Sequence, residues 1–120
     1  MGRQIEEMGF YVAHIGINCM DEKSASQAAN TFSGIFGFPV KDGKSSLFAG
    51  KQIELLKSPG YGSKGHIAVM SNDIDESIRL LYDNGVDFIW DSISKNEKGE
   101  TVRIFLKNEI EGFAIHLLRT

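Results

Sequence analysis

The sequence predicts an α+β fold made of two βαβββ modules, whose curved mixed sheets together form a cup. Three observations predict it. The order strand, helix, then three strands runs over residues 10–58 and recurs over residues 65–118, and a long self-similar period defines an architecture more firmly than any single element. A segment containing Pro59, Gly60 and Gly62, residues 59–64, reads as the linker between the two runs. Polar residues also recur at matching points: His14 opens His14-Ile15-Gly16-Ile17 as His66 opens His66-Ile67-Ala68-Val69, and Glu54 sits in Ile53-Glu54-Leu55-Leu56 as His116 sits in Ile115-His116-Leu117-Leu118.

The elements follow in order. Residues 1–9 are polar and irregular and are expected to be a mobile N-terminal extension without a role. Residues 11–20 alternate in the manner of a half-buried strand. Ser24 and Gln27 have capping-box spacing, and Ala25, Ala28, Ala29, Phe32, Ile35 and Phe36 make the apolar stripe of a helix that Gly37 ends. Phe38-Pro39-Val40 starts a meander, Asp42-Gly43 signals a turn, and residues 45–49 and 51–58 read as strands. In the second run, residues 65–71 form a strand. Asp73 and Glu76 repeat the capping box, Ile74, Ile78 and Leu81 form the buried stripe, and Gly85 closes the helix. Strands are expected at residues 86–91, 101–107 and 113–118, with polar turns at 95–100 and 108–112.

Composition narrows the function classes. A chain of 120 residues, 42% hydrophobic and 24% charged, suits one globular domain. A net charge of −3 without a run of five like charges gives no footprint for nucleic acid or an anionic membrane as partner. There is no apolar run near eighteen residues and no leader pattern, and the single Cys19 has no internal disulfide partner, so a reducing cytoplasm is the expected compartment. Cys19 reads as a buried structural thiol, Trp90 and Phe105 as core aromatics, and Lys51, Lys57 and Lys64 as solvated.

Strand parity places the recurring polar residues. Ile15, Ile53, Leu55, Ile67, Ile115 and Leu117 are large and apolar and must face the helices. His14, Glu54, His66 and His116 then lie on the concave face. Imidazoles and a carboxylate suit a divalent first-row ion, and four protein ligands leave up to two octahedral positions open. Three neutral histidines and one carboxylate leave such a site a formal charge of +1, which favours an anionic, oxygen-chelating small molecule. Arg103 shares parity with Phe105 and Lys107, on the cup side, where it either anchors a substrate anion or pairs a surface carboxylate.

These residues resemble the vicinal oxygen chelate superfamily, which includes glyoxalase I, bleomycin- and fosfomycin-resistance proteins, methylmalonyl-CoA epimerase and extradiol dioxygenases. The resemblance covers nearly all of residues 11–118. It rests on His14-Ile15-Gly16-Ile17, the run from Thr31-Phe32 to Phe36-Gly37-Phe38, Ile53-Glu54-Leu55, Gly65-His66-Ile67-Ala68 and Phe113-Ala114-Ile115-His116-Leu117. It implies metal ligation by His14, Glu54, His66 and the residue at 116, with one divalent ion per site (Ni, Co, Zn, Mn or Fe). Bacterial glyoxalase I proteins carry a glutamate where this chain has His116, and that glutamate is also implicated in moving the substrate proton. The loop Asn108-Glu109-Ile110-Glu111-Gly112 likewise departs from the usual Asp-Pro-Asp-Gly.

The function expected from the resemblance is that of a glyoxalase-like lyase or isomerase working through an enediolate-type intermediate, with Glu54 or His116 as the catalytic proton carrier. Iron-dependent dioxygenase chemistry ranks lower, because those relatives place the carboxylate on the last strand. The alternative is a non-catalytic binding or accessory domain. The chain also looks like the glyoxalase-like domain appended to some bacterial 2-keto-4-hydroxyglutarate and 2-keto-3-deoxy-6-phosphogluconate aldolases, without the lysine-bearing barrel of the aldolase itself. The short linker is taken to disfavour closure of the cup within one chain. The expected assembly is a homodimer in which His14 and Glu54 of one chain meet His66 and His116 of the other.

Overall fold

The computed structural model describes residues 2–120, with side chains from residue 5 onward. Its elements are α1 (Gly2–Glu7), β1 (Tyr11–Asn18), α2 (Glu22–Phe36), β2 (Val40–Asp42), β3 (Ser46–Ala49), β4 (Ile53–Leu56), β5 (Gly65–Ser71), α3 (Ile74–Asp83), β6 (Phe88–Lys95), β7 (Thr101–Leu106) and β8 (Phe113–Arg119). The strands form one eight-stranded sheet in the order β2-β3-β4-β1-β5-β8-β7-β6. The order reads the same from either edge, module by module. β1 runs parallel to β4 and β5 parallel to β8, and the two halves join through the antiparallel pair β1 and β5, with Ile15 opposite Ile67.

Closure therefore occurs within one chain, and the expected site shared between subunits is corrected. The reason lies in where the linker starts and ends. Leu56 at the end of β4 pairs with Asn18, and Gly65 at the start of β5 pairs with Ile17. Residues 57–64 thus cross one intervening strand at the same end of the sheet, a gap of about 10 Å at ordinary strand spacing, which eight residues span easily.

Helices α2 and α3 each cover one core. Under α2 lie Ala25, Ala29, Leu47, Ala49, Leu55 and Cys19; under α3 lie Ile74, Phe88, Ile104 and Leu117, with Ile78 and Leu81 packed against them. Helix α2 starts one turn earlier than its expected cap. Asp21 is the N-cap, accepting from the Ser24 N–H at 2.8 Å, while the Ser24 hydroxyl serves the Asp21 backbone, so Ser24 is the third helical residue of the capping box. Asp73 caps α3 as expected, accepting from the Glu76 N–H at 3.1 Å, but the Glu76 carboxylate pairs with Arg79 instead of closing a box. Lys57 is ion-paired to Asp42 and Glu22 rather than solvated.

The N-terminal stretch is also corrected: Gly2–Glu7 is helical, and residue 1 lies outside the described residues. Met8 is buried, Asn72 donates to the Glu7 carbonyl at 3.0 Å, and the Asn72 N–H donates to the Met8 carbonyl at 3.0 Å, so the end of α1 is tied to the turn before α3. No helix among the described residues is long and apolar enough to cross a membrane.

Leu55 is fully buried beneath α2. Leu55→Ala is expected to cost about 3 kcal/mol and to lower the thermal midpoint by on the order of 10 °C, as read by calorimetry on chelator-treated protein.

Candidate metal centre

The four recurring polar residues sit on the four central strands: His14 on β1, Glu54 on β4, His66 on β5 and His116 on β8. Strand register arranges them in two rows. Glu54, Gly16 and His66 lie across β4, β1 and β5 in one row; His14, Ala68 and His116 lie across β1, β5 and β8 in the next. Each row has a small residue in its middle, and Gly16 and Ala68 are equivalent positions of the repeat. A Cβ built on Gly16 would overlap the His66 ring, 2.5 Å from Nδ1 and 2.6 Å from Nε2. The missing side chain is what lets His66 lie over β1 toward Glu54.

The result is a tight triangle of ligand atoms. His14 Nε2 and His66 Nε2 are 3.3 Å apart, and Glu54 Oε1 lies 3.4 Å from the first and 3.2 Å from the second. His116 completes the group, one ligand nitrogen from each histidine falling within 4.8 Å of the others. Glu54 is held by its second oxygen, which accepts from the Ser46 hydroxyl at 2.8 Å. His116 Nδ1 lies 3.1 Å from the Leu117 carbonyl. A carbonyl only accepts, so Nδ1 carries the proton and Nε2 carries the lone pair.

Electrostatics follows from this packing. Burial alone would raise the Glu54 carboxyl, but hydrogen bonds from His14, His66 and Ser46 together outweigh it and hold the group well below the usual carboxylate range. Burial pushes His116 down to about 4; the Leu117 carbonyl opposes the fall, and His66, His14 and Arg103 add to it. At neutral pH the cluster therefore holds one carboxylate and at least one neutral imidazole.

This donor set fits a divalent transition metal. With bonds of 2.0–2.1 Å, two ligand atoms should be about 2.8–3.0 Å apart at a right angle and about 3.3–3.4 Å apart at the tetrahedral angle. The observed edges of 3.2–3.4 Å fall at the upper part of that range. Ser46 on Glu54 and the Leu117 carbonyl on His116 are contacts of the kind that orient metal ligands.

The cluster forms the floor of a cavity of about 360 Å³ whose walls include Arg103, Phe105, Tyr61, Leu56 and Leu118. Arg103 lines the cavity, its guanidinium carbon 5.6 Å from the Phe105 ring centre. Phe105 is buried, as expected of a core residue, and also lines the cavity, with its ring 4.9 Å from that of His116, which it faces across β7 and β8. Its shared parity with Arg103 was the available signal. Trp90 is neither core nor wall: it is half-exposed beside Tyr82 and Phe88. Cys19 is buried as expected and stands apart from the cavity lining. Tyr61 and Ser46 carry no sequence signal, because a linker has no parity to place the first, and a serine in a short strand is too common to single out the second.

No protein-family model matches the chain, and no curated protein does. Solved structures do. A hypothetical protein from Bacillus halodurans C-125 is similar at 21% identity over 92% of this chain and 94% of that one, with a TM-score of 0.64. Methylmalonyl-CoA epimerase from Mycobacterium tuberculosis is similar at 16% identity over 90% and 86%, with a TM-score of 0.65. A variant of the Streptomyces coelicolor methylmalonyl-CoA epimerase, in complex with 2-nitronate-propionyl-CoA, is similar at 20% identity over 92% and 94%, with a TM-score of 0.62. At these identities the likeness is one of fold, and the shared fold is the arrangement of two βαβββ modules that the repeated order of elements predicted.

Proposed function

We infer that this protein is a divalent-metal-dependent isomerase or lyase that moves a proton on a small, anionic, oxygen-chelating substrate. The observation that carries this reading is the Glu54, His14 and His66 triangle with edges of 3.2–3.4 Å, set with His116 at the floor of a cavity walled by Arg103. His14, Glu54, His66 and His116 would hold the ion, which when bound supplies a Lewis acid that polarises a substrate oxygen. Three neutral imidazoles and one carboxylate leave a divalent site with a formal charge of +1, and Arg103 adds a second positive charge on the wall. Both attract an anion.

Proton transfer falls to Glu54 or His116. Glu54 is an ionised carboxylate in the cavity floor, held in place by Ser46. His116 has a single lone pair, on Nε2, because Nδ1–H is committed to the Leu117 carbonyl, so it takes a proton only where three ligands hold the ion and Nε2 stands off it. Buried Phe105 keeps water from one side of His116. The epimerases with this fold are named for an isomerisation, which agrees with proton transfer here but leaves the substrate of this chain to its own cavity.

The test is elemental analysis of untagged protein as purified and after incubation with each of nickel, cobalt, zinc, manganese and iron. Close to one ion per chain is expected for at least one metal. Protein that stays metal-free throughout would overturn this reading and make the cavity a binding pocket, the role of a non-catalytic accessory domain.

A further inference from the structure

Between β4 and β5 the chain contributes Gly60 and Tyr61 to the lining of the cavity, and one side chain grips it there. Asn18, the last residue of β1, donates from Nδ2 to the Gly62 carbonyl at 2.8 Å and accepts at Oδ1 from the Gly60 N–H at 3.1 Å. Tyr61 is the residue between these two bonds. Gly62 has φ +84°, and a Cβ there would overlap the Gly65 carbonyl oxygen and stand 2.8 Å from the Ala114 nitrogen, so the loop is fitted tightly against β5 and β8. Its exit is tied too, by the Lys64 N–H donating to the Gly112 carbonyl at 2.9 Å. This is an anchored loop and not a loose flap.

What it anchors is an aromatic shelf. The Tyr61 ring stacks on Phe105 with centres 4.1 Å apart and planes 27° apart, and Phe105 in turn reaches His116. Phe105 is 5% exposed, whereas Tyr61 remains 46% exposed while lining the cavity. One face of the ring covers Phe105, yet Tyr61 as a residue stays about half-exposed and lines the cavity, with the Arg103 guanidinium also beside Phe105. Planar groups are recognised by stacked rings and by guanidinium planes.

We propose that Tyr61, held by Asn18, is a specificity-determining residue that selects chelating anions bearing a planar unsaturated or aromatic substituent. The proposal rests on the metal reading above, since the floor must hold the chelating end while the shelf holds the substituent. The substrate class is then an arylated or conjugated 2-oxo or 2-hydroxy acid, and a simple aliphatic one should fit less well.

Two probes with the same chelating head separate floor from shelf: acetohydroxamate and benzohydroxamate, titrated by calorimetry into protein loaded with cobalt. Wild type is expected to prefer benzohydroxamate by about tenfold, the worth of one stacked ring contact. Tyr61→Phe should keep that ratio, Tyr61→Ala should bring it within about twofold of unity, and Asn18→Ala should lower it while speeding exchange of the Gly60 amide in metal-free protein. A ratio unchanged in Tyr61→Ala, or no preference in wild type, overturns the shelf while binding of acetohydroxamate still upholds the metal floor. Failure of cobalt-loaded wild type to bind either probe overturns the floor, and the shelf with it. Melting curves of the metal-free variants complete the test: a tyrosine that merely packs on Phe105 would shift the midpoint without moving the ratio.

Discussion

His66→Ala protein is expected to bind divalent metal at least about 100-fold more weakly than wild type, and to come through gel filtration with less than about a tenth of an ion per chain. Loss of an outer orienting contact alone costs a metal site about 10- to 100-fold, so loss of a donor atom should cost at least the upper figure. His66 is the residue on which the triangle depends, since its Nε2 stands 3.3 Å from His14 Nε2 and 3.2 Å from Glu54 Oε1. Glu54→Gln probes the same centre differently. It keeps the shape of the side chain but removes the one negative charge in the donor set, and the Ser46 hydroxyl loses an ionised acceptor. Its affinity loss should match or exceed that of His66→Ala if charge dominates, and should be smaller if geometry does. Stoichiometric metal in both variants, measured by elemental analysis after dialysis against a weak chelator, would place the ion elsewhere.

The fold was legible because repeated order is redundant information. A strand boundary misplaced by one or two residues, as at β4 and β7, does not change the alternation that puts Leu55 and Ile104 in the cores and Glu54 and Phe105 opposite them. The four donors were legible for the same reason: parity assigns a face, and β1, β4, β5 and β8 are the four strands at the middle of the sheet. Assembly was not legible. Whether β1 pairs with β5 of its own chain or of another depends on which ends of the strands the linker joins, and that is a property of register, not of composition. Helix α1 was missed because its burial comes from tertiary contacts: Ile5 and Phe10 line an apolar groove with Leu81 and Leu117, and Asn72 binds the backbone at residues 7 and 8.

The repeat also explains an asymmetry in the site. His14 and His66 are equivalent residues, as are Glu54 and His116, yet only the first of the latter pair is acidic. The tight triangle contains both members of the first pair and the carboxylate of the second, while His116 joins from β8, its ring 5.1 Å from that of His66 and in contact with Phe105. The imidazole thus occupies the side of the cavity where the aromatic wall and Arg103 lie. A second carboxylate there would cancel the remaining positive charge of a divalent site and would also draw on the charge of Arg103, which acts on this position. On the proposed metal reading, the histidine would keep that side of the cup attractive to an anion.

Gly16→Ala is expected to lower metal affinity by about 100-fold or more without touching any donor atom. Gly16 lies opposite both Glu54 and His66 across its two neighbouring strands, and an added Cβ would occupy the space of the His66 ring. Two responses are open to the chain. Either the ring swings away, which breaks the triangle at His66 Nε2, or β1 and β5 separate, which costs backbone hydrogen bonds at the join between modules and should appear as a loss of a few kcal/mol in stability. The two are distinguished by melting the metal-free protein: a near-normal midpoint with poor metal uptake indicates ring displacement, and a large fall indicates strand separation. Gly34→Ala is the matched control. Nothing lies within 4 Å of a Cβ at Gly34, which sits in the last turn of α2, so the same change there should raise stability by about 0.5–1 kcal/mol, as expected for alanine over glycine in a helix, and leave metal binding alone. Full metal uptake by Gly16→Ala would mean that His66 reaches the ion from a different rotamer, and that the small residue at this point of the repeat serves strand packing and not the site.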